Sequence, residues 1–82
     1  MPTVKFFATL KNVTGTREVE VHGKTVREVL DNLAPMFDGK LERYLKSSTV
    51  LVNDKNVRYL NGARTRLKPG DTVSLYPPIG GG

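Results

Sequence analysis

The residues of this chain with the most distinctive chemistry are its last six, Pro77-Pro78-Ile79-Gly80-Gly81-Gly82. Glycine has no Cβ and takes almost any φ/ψ, so Gly80, Gly81 and Gly82 form the thinnest backbone a polypeptide offers. Such a tail can thread a narrow tunnel that side chains would block, which would carry the α-carboxylate of Gly82 into a partner's active site. Pro77 and Pro78 stiffen the exit from the preceding strand, because each holds φ fixed and has no N–H for a sheet ladder. The stretch reads as a stiff neck with a flexible reactive tip. A frayed terminus of small residues has a similar composition, so the remainder of the chain has to decide between the two.

Reactive side chains are sparse elsewhere. Cysteine is absent, which excludes a thiol nucleophile and a disulfide framework and fits a reducing, cytoplasmic setting. His22 is the only histidine. With no second histidine and no cysteine to join it, no metal site is expected. The 82 residues are enough for one domain and leave no room for a catalytic cleft walled by two subdomains. No apolar run reaches membrane-spanning length, and Met1-Pro2-Thr3-Val4-Lys5 lacks the apolar core of a signal peptide, so no membrane association is expected.

The thirteen basic and eight acidic residues leave a net charge of +5. Lys55, Arg58, Arg64, Arg66 and Lys68 crowd into one stretch, offering a positive face to an acidic protein or to nucleic acid. That stretch lacks the aromatic interleaving that base stacking wants. A solvated edge or a protein partner is the better reading, and nucleic acid is disfavoured.

The elements that must position the tail follow from periodicity. Val4 to Leu10 is rich in β-branched and aromatic residues and reads as a strand, with Val4, Phe6, Ala8 and Leu10 on one face. Phe7 falls on the opposite face, either beneath a second layer or exposed as a docking point. A turn over Asn12–Thr16 leads to a second strand, Arg17–His22, with Val19 and Val21 inward; the close connection makes an antiparallel hairpin. Thr25-Val26-Arg27-Glu28 matches a capping box. Val26, Val29, Leu30, Leu33 and Phe37 then form a helical stripe, loosened at its end by Pro35. Leu41–Leu45 reads as a single packed turn. Thr49–Asn53 is apolar enough for a strand covered on both sides or lying beside a partner. Asp54-Lys55-Asn56 reads as a turn into a short strand, Val57–Leu60. Pro69-Gly70 turns the chain into the last strand, Thr72–Tyr76, where Val73 and Leu75 point inward and Tyr76 points away. One helix covers one face only, so the expected fold is α+β, a mixed sheet of four to five strands with the helix packed across it. The first and last strands are the expected central neighbours. The domain spans residues 1–77 and the tail 78–82.

The ordered set of Val4-Lys5-Phe6-Phe7-Ala8, Thr25–Leu30, Val52-Asn53, Pro69–Val73 and the closing Tyr76-Pro77-Pro78-Ile79-Gly80-Gly81-Gly82 resembles the MoaD/ThiS sulfur carriers of the ubiquitin-like β-grasp fold. The ending looks like that of molybdopterin synthase small subunits. The resemblance implies a carrier without an active site of its own. An ATP-dependent, ubiquitin-activating-like enzyme adenylates Gly82, and a sulfur donor converts it to a thiocarboxylate. The sulfur then goes, in the molybdopterin branch, to a pterin precursor held by the large subunit. Gly81 permits tunnel entry, and Gly80 precedes it in the tail as a third glycine where the family usually has a bulkier residue or an alanine. Phe7 and Tyr76 match partner-binding positions, flanked by Pro77 and Pro78, with Leu60 a weaker member of the patch. Lys55, Arg58 and Arg66 are candidates for an acidic partner surface. No cofactor is expected to bind the chain itself, since ATP is used by the activating enzyme. Two alternatives stay open: a protein modifier joined through Gly82 to lysines, and a small basic RNA-binding β-grasp domain.

Overall fold

The computed structural model describes residues 1–78. Five strands form one mixed sheet in the order β2-β1-β5-β3-β4. They are β1 (Thr3–Phe6), β2 (Glu18–Glu20), β3 (Thr49–Val52), β4 (Lys55–Asn56) and β5 (Thr72–Tyr76). β1 pairs parallel with β5 at the centre, and β2 and β3 flank them antiparallel. The central pairing is the expected one. Each of the two has a hydrogen-bonded neighbour on both edges and carries core residues, Val4 and Phe6 on β1 and Val73 and Leu75 on β5.

The helix α2 (Val26–Leu33) crosses one face of this sheet. Its start is capped as the sequence indicates: Thr25 Oγ1 accepts the Glu28 N–H at 3.2 Å. Glu28 Oε1 in turn accepts the N–H of Lys24 at 3.1 Å, one residue before the N-cap. Val26, Val29 and Leu33 are buried against Val4, Phe6, Val73 and Leu75, the inward residues of β1 and β5. At Ala34–Phe37 the helix tightens into a 3₁₀ turn containing Pro35, which has no N–H to continue the α ladder. That turn delivers Phe37 edge-on to Phe6, with centroids 5.6 Å apart at 89°. The short helix α3 (Glu42–Leu45) is the packed turn expected there.

Three expectations are corrected. The first strand ends at Phe6 instead of continuing to Leu10, because Ala8 adopts a left-handed φ of 51° and turns the chain out of the sheet. Residues Leu10–Thr14 then form the helix α1, where composition suggested a strand end and a turn; it stops at Gly15, whose φ is 73°. Leu10 is fully buried, so its side chain reaches the core from a helix. Burial of that one leucine outweighs the strand preference of its neighbours. In the third correction, Val57–Tyr59 is a 3₁₀ turn and β4 is limited to Lys55–Asn56. The tight turn sits one residue earlier than expected, at Asn53 and Asp54, both with positive φ of 48° and 70°. Paired left-handed residues match the twist of a hairpin, and Asn and Asp tolerate that conformation well.

Gly23 stands where the chain passes α2. A Cβ there would lie 2.5 Å from Val29 Cγ2 and 2.7 Å from the Val29 backbone N. The side chain is β-branched and stiff on a helix, and the backbone atom cannot move aside alone. Gly23→Ala is therefore expected to destabilise by about 2 kcal/mol and lower Tm by roughly 10 °C for a domain of this size. A thermal melt matching the wild type would show that the approach is looser.

A polar clasp closes the end of the sheet where β5 begins. Asp71 accepts the Lys68 N–H at 2.8 Å and the Asn53 side-chain amide at 3.0 Å. Asn53 Oδ1 also accepts the Thr72 N–H at 3.0 Å. The Lys68 backbone bond, then the Asn53 bond, hold the Asp71 carboxyl below its ordinary value. A lowered folded value stabilises the fold above the unfolded aspartate pKa of about 3.9, and that contribution fades as pH falls through the lowered folded value. Asp71→Asn is expected to lose less stability than the wild type on going from neutral pH to about pH 3. Parallel acid denaturation curves for the two would remove this role from Asp71.

Candidate functional site at the tail exit

The face of the sheet opposite α2 carries no helix among the described residues. Alternation along β1 and β5 places Lys5, Thr72, Ser74 and Tyr76 on this open face, with Leu51 contributed by β3. Phe7 lies just beyond β1, and its N–H donates to the Leu75 carbonyl at 3.1 Å, extending the parallel ladder by one bond. This brings Phe7 beside Tyr76. The two rings stack with centroids 4.4 Å apart and planes 11° from parallel. A stacked aromatic pair contributes roughly 0.5–1.5 kcal/mol beyond its buried area. Both rings remain half-buried, so the pair is neither sealed under a loop nor fully in water.

The position of this stack matters more than its energy. Tyr76 is the last residue of β5, and Pro77 and Pro78 follow directly. The stack anchors the final strand at the point where the chain leaves the domain. The two prolines then restrict the directions it takes. Gly80, Gly81 and Gly82, the tail residues singled out in the sequence, lie outside the described residues.

Leu60 is 40% exposed and neighbouring Tyr59 is 88% exposed. The sequence gives no signal for the exposure of Tyr59, because a strand over Val57–Leu60 would leave it without special exposure; the 3₁₀ turn directs it into solvent. Two of the basic residues of 55–68, Lys55 and Arg66, do not lie at the tail exit. Lys55 opposes Val52 on β4, and Arg66 bridges to Thr25 at the start of α2. Both sit at the pole where β5 begins, away from Tyr76. An acidic partner surface that meets Lys55 and Arg66 would therefore lie over that pole and not over the tail exit.

Among the described residues, no three His, Cys, Asp or Glu side chains gather in an arrangement that holds a metal. No helix among them is long and apolar enough to cross a membrane.

A five-stranded mixed sheet with parallel central strands and one principal helix across it defines a ubiquitin-like β-grasp protein. The chain belongs to the ThiS family, which it matches over residues 4–82. It is 34% identical to small archaeal modifier protein 3 of Haloferax volcanii, with 96% of each chain covered. Its fold is similar to that of small archaeal modifier protein 1 from Methanosarcina acetivorans, at a TM-score of 0.87 and 32% identity, covering 99% of this chain and 95% of the other. It is also similar to a chain in the crystal structure of the BexX/CysO complex of Amycolatopsis orientalis, at a TM-score of 0.84 and 31% identity over the whole of both chains.

Proposed function

We propose that this chain is a sulfur carrier that bears its cargo on the carboxylate of Gly82. The observation that carries the reading is the stacked Phe7–Tyr76 pair at the root of a Pro-Pro-Ile-Gly-Gly-Gly tail, in a chain of the ThiS family. Rigid packing up to Tyr76 and a thin backbone beyond it suit a reactive end that must enter another protein's active site.

The chemistry begins from a poor acyl donor. An oxygen of the Gly82 carboxylate attacks the α-phosphorus of ATP on the activating enzyme, and pyrophosphate leaves. The product is a mixed anhydride whose acyl carbon is now electrophilic. A persulfide on a sulfur donor attacks that carbon and AMP departs, giving an acyl disulfide. A further thiol then cleaves the S–S bond, leaving the thiocarboxylate on Gly82 and a disulfide on the donor. The thiocarboxylate is a soft sulfur nucleophile at neutral pH. The ending Tyr76-Pro77-Pro78-Ile79-Gly80-Gly81-Gly82 favours a pterin precursor, held by a molybdopterin synthase large subunit, as the final acceptor. In this scheme Phe7, Tyr76, Pro77, Pro78 and Leu60 form the apolar surface that partners cover.

The test is the intact and top-down mass of the protein isolated from its native cells, repeated after incubation with the activating enzyme, ATP and a sulfur donor. Replacement of one oxygen by sulfur at Gly82 is expected. A plain carboxylate in both preparations would overturn the reading. A second reading is favoured by the likeness to small archaeal modifier protein 3: the same adenylate captured by a lysine amine. It predicts Gly82 in isopeptide linkage to larger proteins, which the same mass analysis detects.

A further inference from the structure

The pole where the tail leaves carries more than an apolar stack. β1 and β5 run in parallel with Phe6 opposite Leu75, so Phe7 and Tyr76 end at the same pole. β2 runs antiparallel to β1, so Arg17, just ahead of β2, returns there too. Its carbonyl accepts the Phe6 N–H at 2.8 Å. α1, bearing Lys11, lies in the connection between them. Lys5, Phe7, Lys11 and Arg17 line one cleft of about 470 Å³, with Glu18 as the single anion in its wall.

All three cations are exposed. Among the described residues, the one close ion pair is Arg27–Asp31 at 3.9 Å, on the exposed side of α2. Glu18 stands opposite Lys5 across the β1–β2 ladder without closing a pair with it. The cleft therefore holds an excess of positive charge that the fold leaves uncompensated, directly beside the aromatic pair. Like charges held together repel, and a partner bearing carboxylates relieves that repulsion on docking.

We infer that this cleft docks an acidic segment of the activating enzyme, one that sets two or more Asp or Glu carboxylates against Lys5, Lys11 and Arg17 and an apolar side chain against Phe7. The inference rests on the carrier reading, because an enzyme that receives the tail at Tyr76 must cover this pole. Protein carboxylates fit better than nucleic acid here. Phe7 and Tyr76 stack on one another, so one face of each ring is taken and unavailable to a base.

The test uses the full chain and the activating enzyme of the same organism, followed by ATP–pyrophosphate exchange as a function of chain concentration. The triple variant Lys5→Glu/Lys11→Glu/Arg17→Glu is expected to raise KM by at least about tenfold. Lys5→Gln/Lys11→Gln/Arg17→Gln, which removes charge without adding repulsion, is expected to fall between it and the wild type. Lys24→Glu/Arg27→Glu/Lys68→Glu changes net charge by the same amount towards the opposite pole, where β5 begins, and is expected to stay near the wild-type KM. The wild-type KM should climb between about 50 and about 300 mM NaCl, and the Gln variant should respond less. A thermal melt establishes that each variant is folded. A folded Gln variant with the wild-type KM and salt response overturns the docking inference alone. Binding of a fluorescent oligo(U) that the Gln variant loses, with KM unchanged, also overturns it and reassigns the cleft to RNA. A wild-type chain that the enzyme does not adenylate overturns the carrier reading and this inference together.

Discussion

A chain lacking Gly82, or extended by one residue beyond it, is expected to lose adenylation completely while melting like the wild type. Deletion withdraws the terminal carboxylate by up to about 3.5 Å. Attack on the α-phosphorus requires reacting atoms within roughly 3–3.5 Å of each other, and a misplacement of about 1 Å already costs around a hundredfold in rate. Extension acts differently. It turns the Gly82 carboxylate into a peptide carbonyl, which carries no negative charge and is a far weaker nucleophile. Neither change touches the sheet, whose last strand ends at Tyr76, nor the core, whose last member is Leu75. The measurement is ATP–pyrophosphate exchange alongside a thermal melt. Exchange retained by either variant would remove Gly82 from the chemistry.

The second large effect separates two adjacent phenylalanines. Phe6 is 2% exposed and meets Phe37 edge-on inside the core. Phe6→Ala is expected to cost about 3–5 kcal/mol, from lost transfer energy and the cavity left behind. Domains have roughly 0.05–0.15 kcal/mol of stability per residue, so a chain this short has little left after such a loss. The variant should be largely unfolded at physiological temperature by circular dichroism. Phe7 points the other way. Phe7→Ala gives up a partly exposed ring and one stack worth roughly 0.5–1.5 kcal/mol, so it should remain folded. Its defect should appear with the activating enzyme, as a raised KM for the chain. Equal destabilisation of the two variants in urea would make the open face a structural feature and not a docking one.

That contrast shows how far the sequence reaches. Period-2 alternation in Val4-Lys5-Phe6-Phe7 separates the inward from the outward phenylalanine without any structure, because successive side chains on a strand take opposite faces. The Thr25–Glu28 cap and the Val26-Val29-Leu33 stripe are equally local, and α2 begins where they indicate. Local signals fail where a long-range contact sets the backbone. Nothing near Leu10 announces that it will be buried from a helix. Its burial depends on core residues supplied by distant strands, and on the left-handed turn at Ala8 that redirects the chain. Val57–Tyr59 fails for a related reason. β4 sits at the edge of the sheet, so no further strand fixes an extended conformation there.

The site divides along the same line. By itself the sequence marked out the end proposed to be reactive, since the glycine tail, the prolines before it and the parity of Phe7 and Tyr76 are properties of neighbouring residues. It also determined the net charge. Only the tertiary structure decided where that charge sits. The basic run over 55–68 is prominent in the sequence, yet Lys55 and Arg66 lie away from the tail. Lys5, Lys11 and Arg17 belong to a strand, a helix and a loop, and form no motif along the chain. They meet in one cleft beside the exit because β2 folds back antiparallel on β1. Proximity of that kind is created by chain reversal, and spacing along a sequence does not encode it.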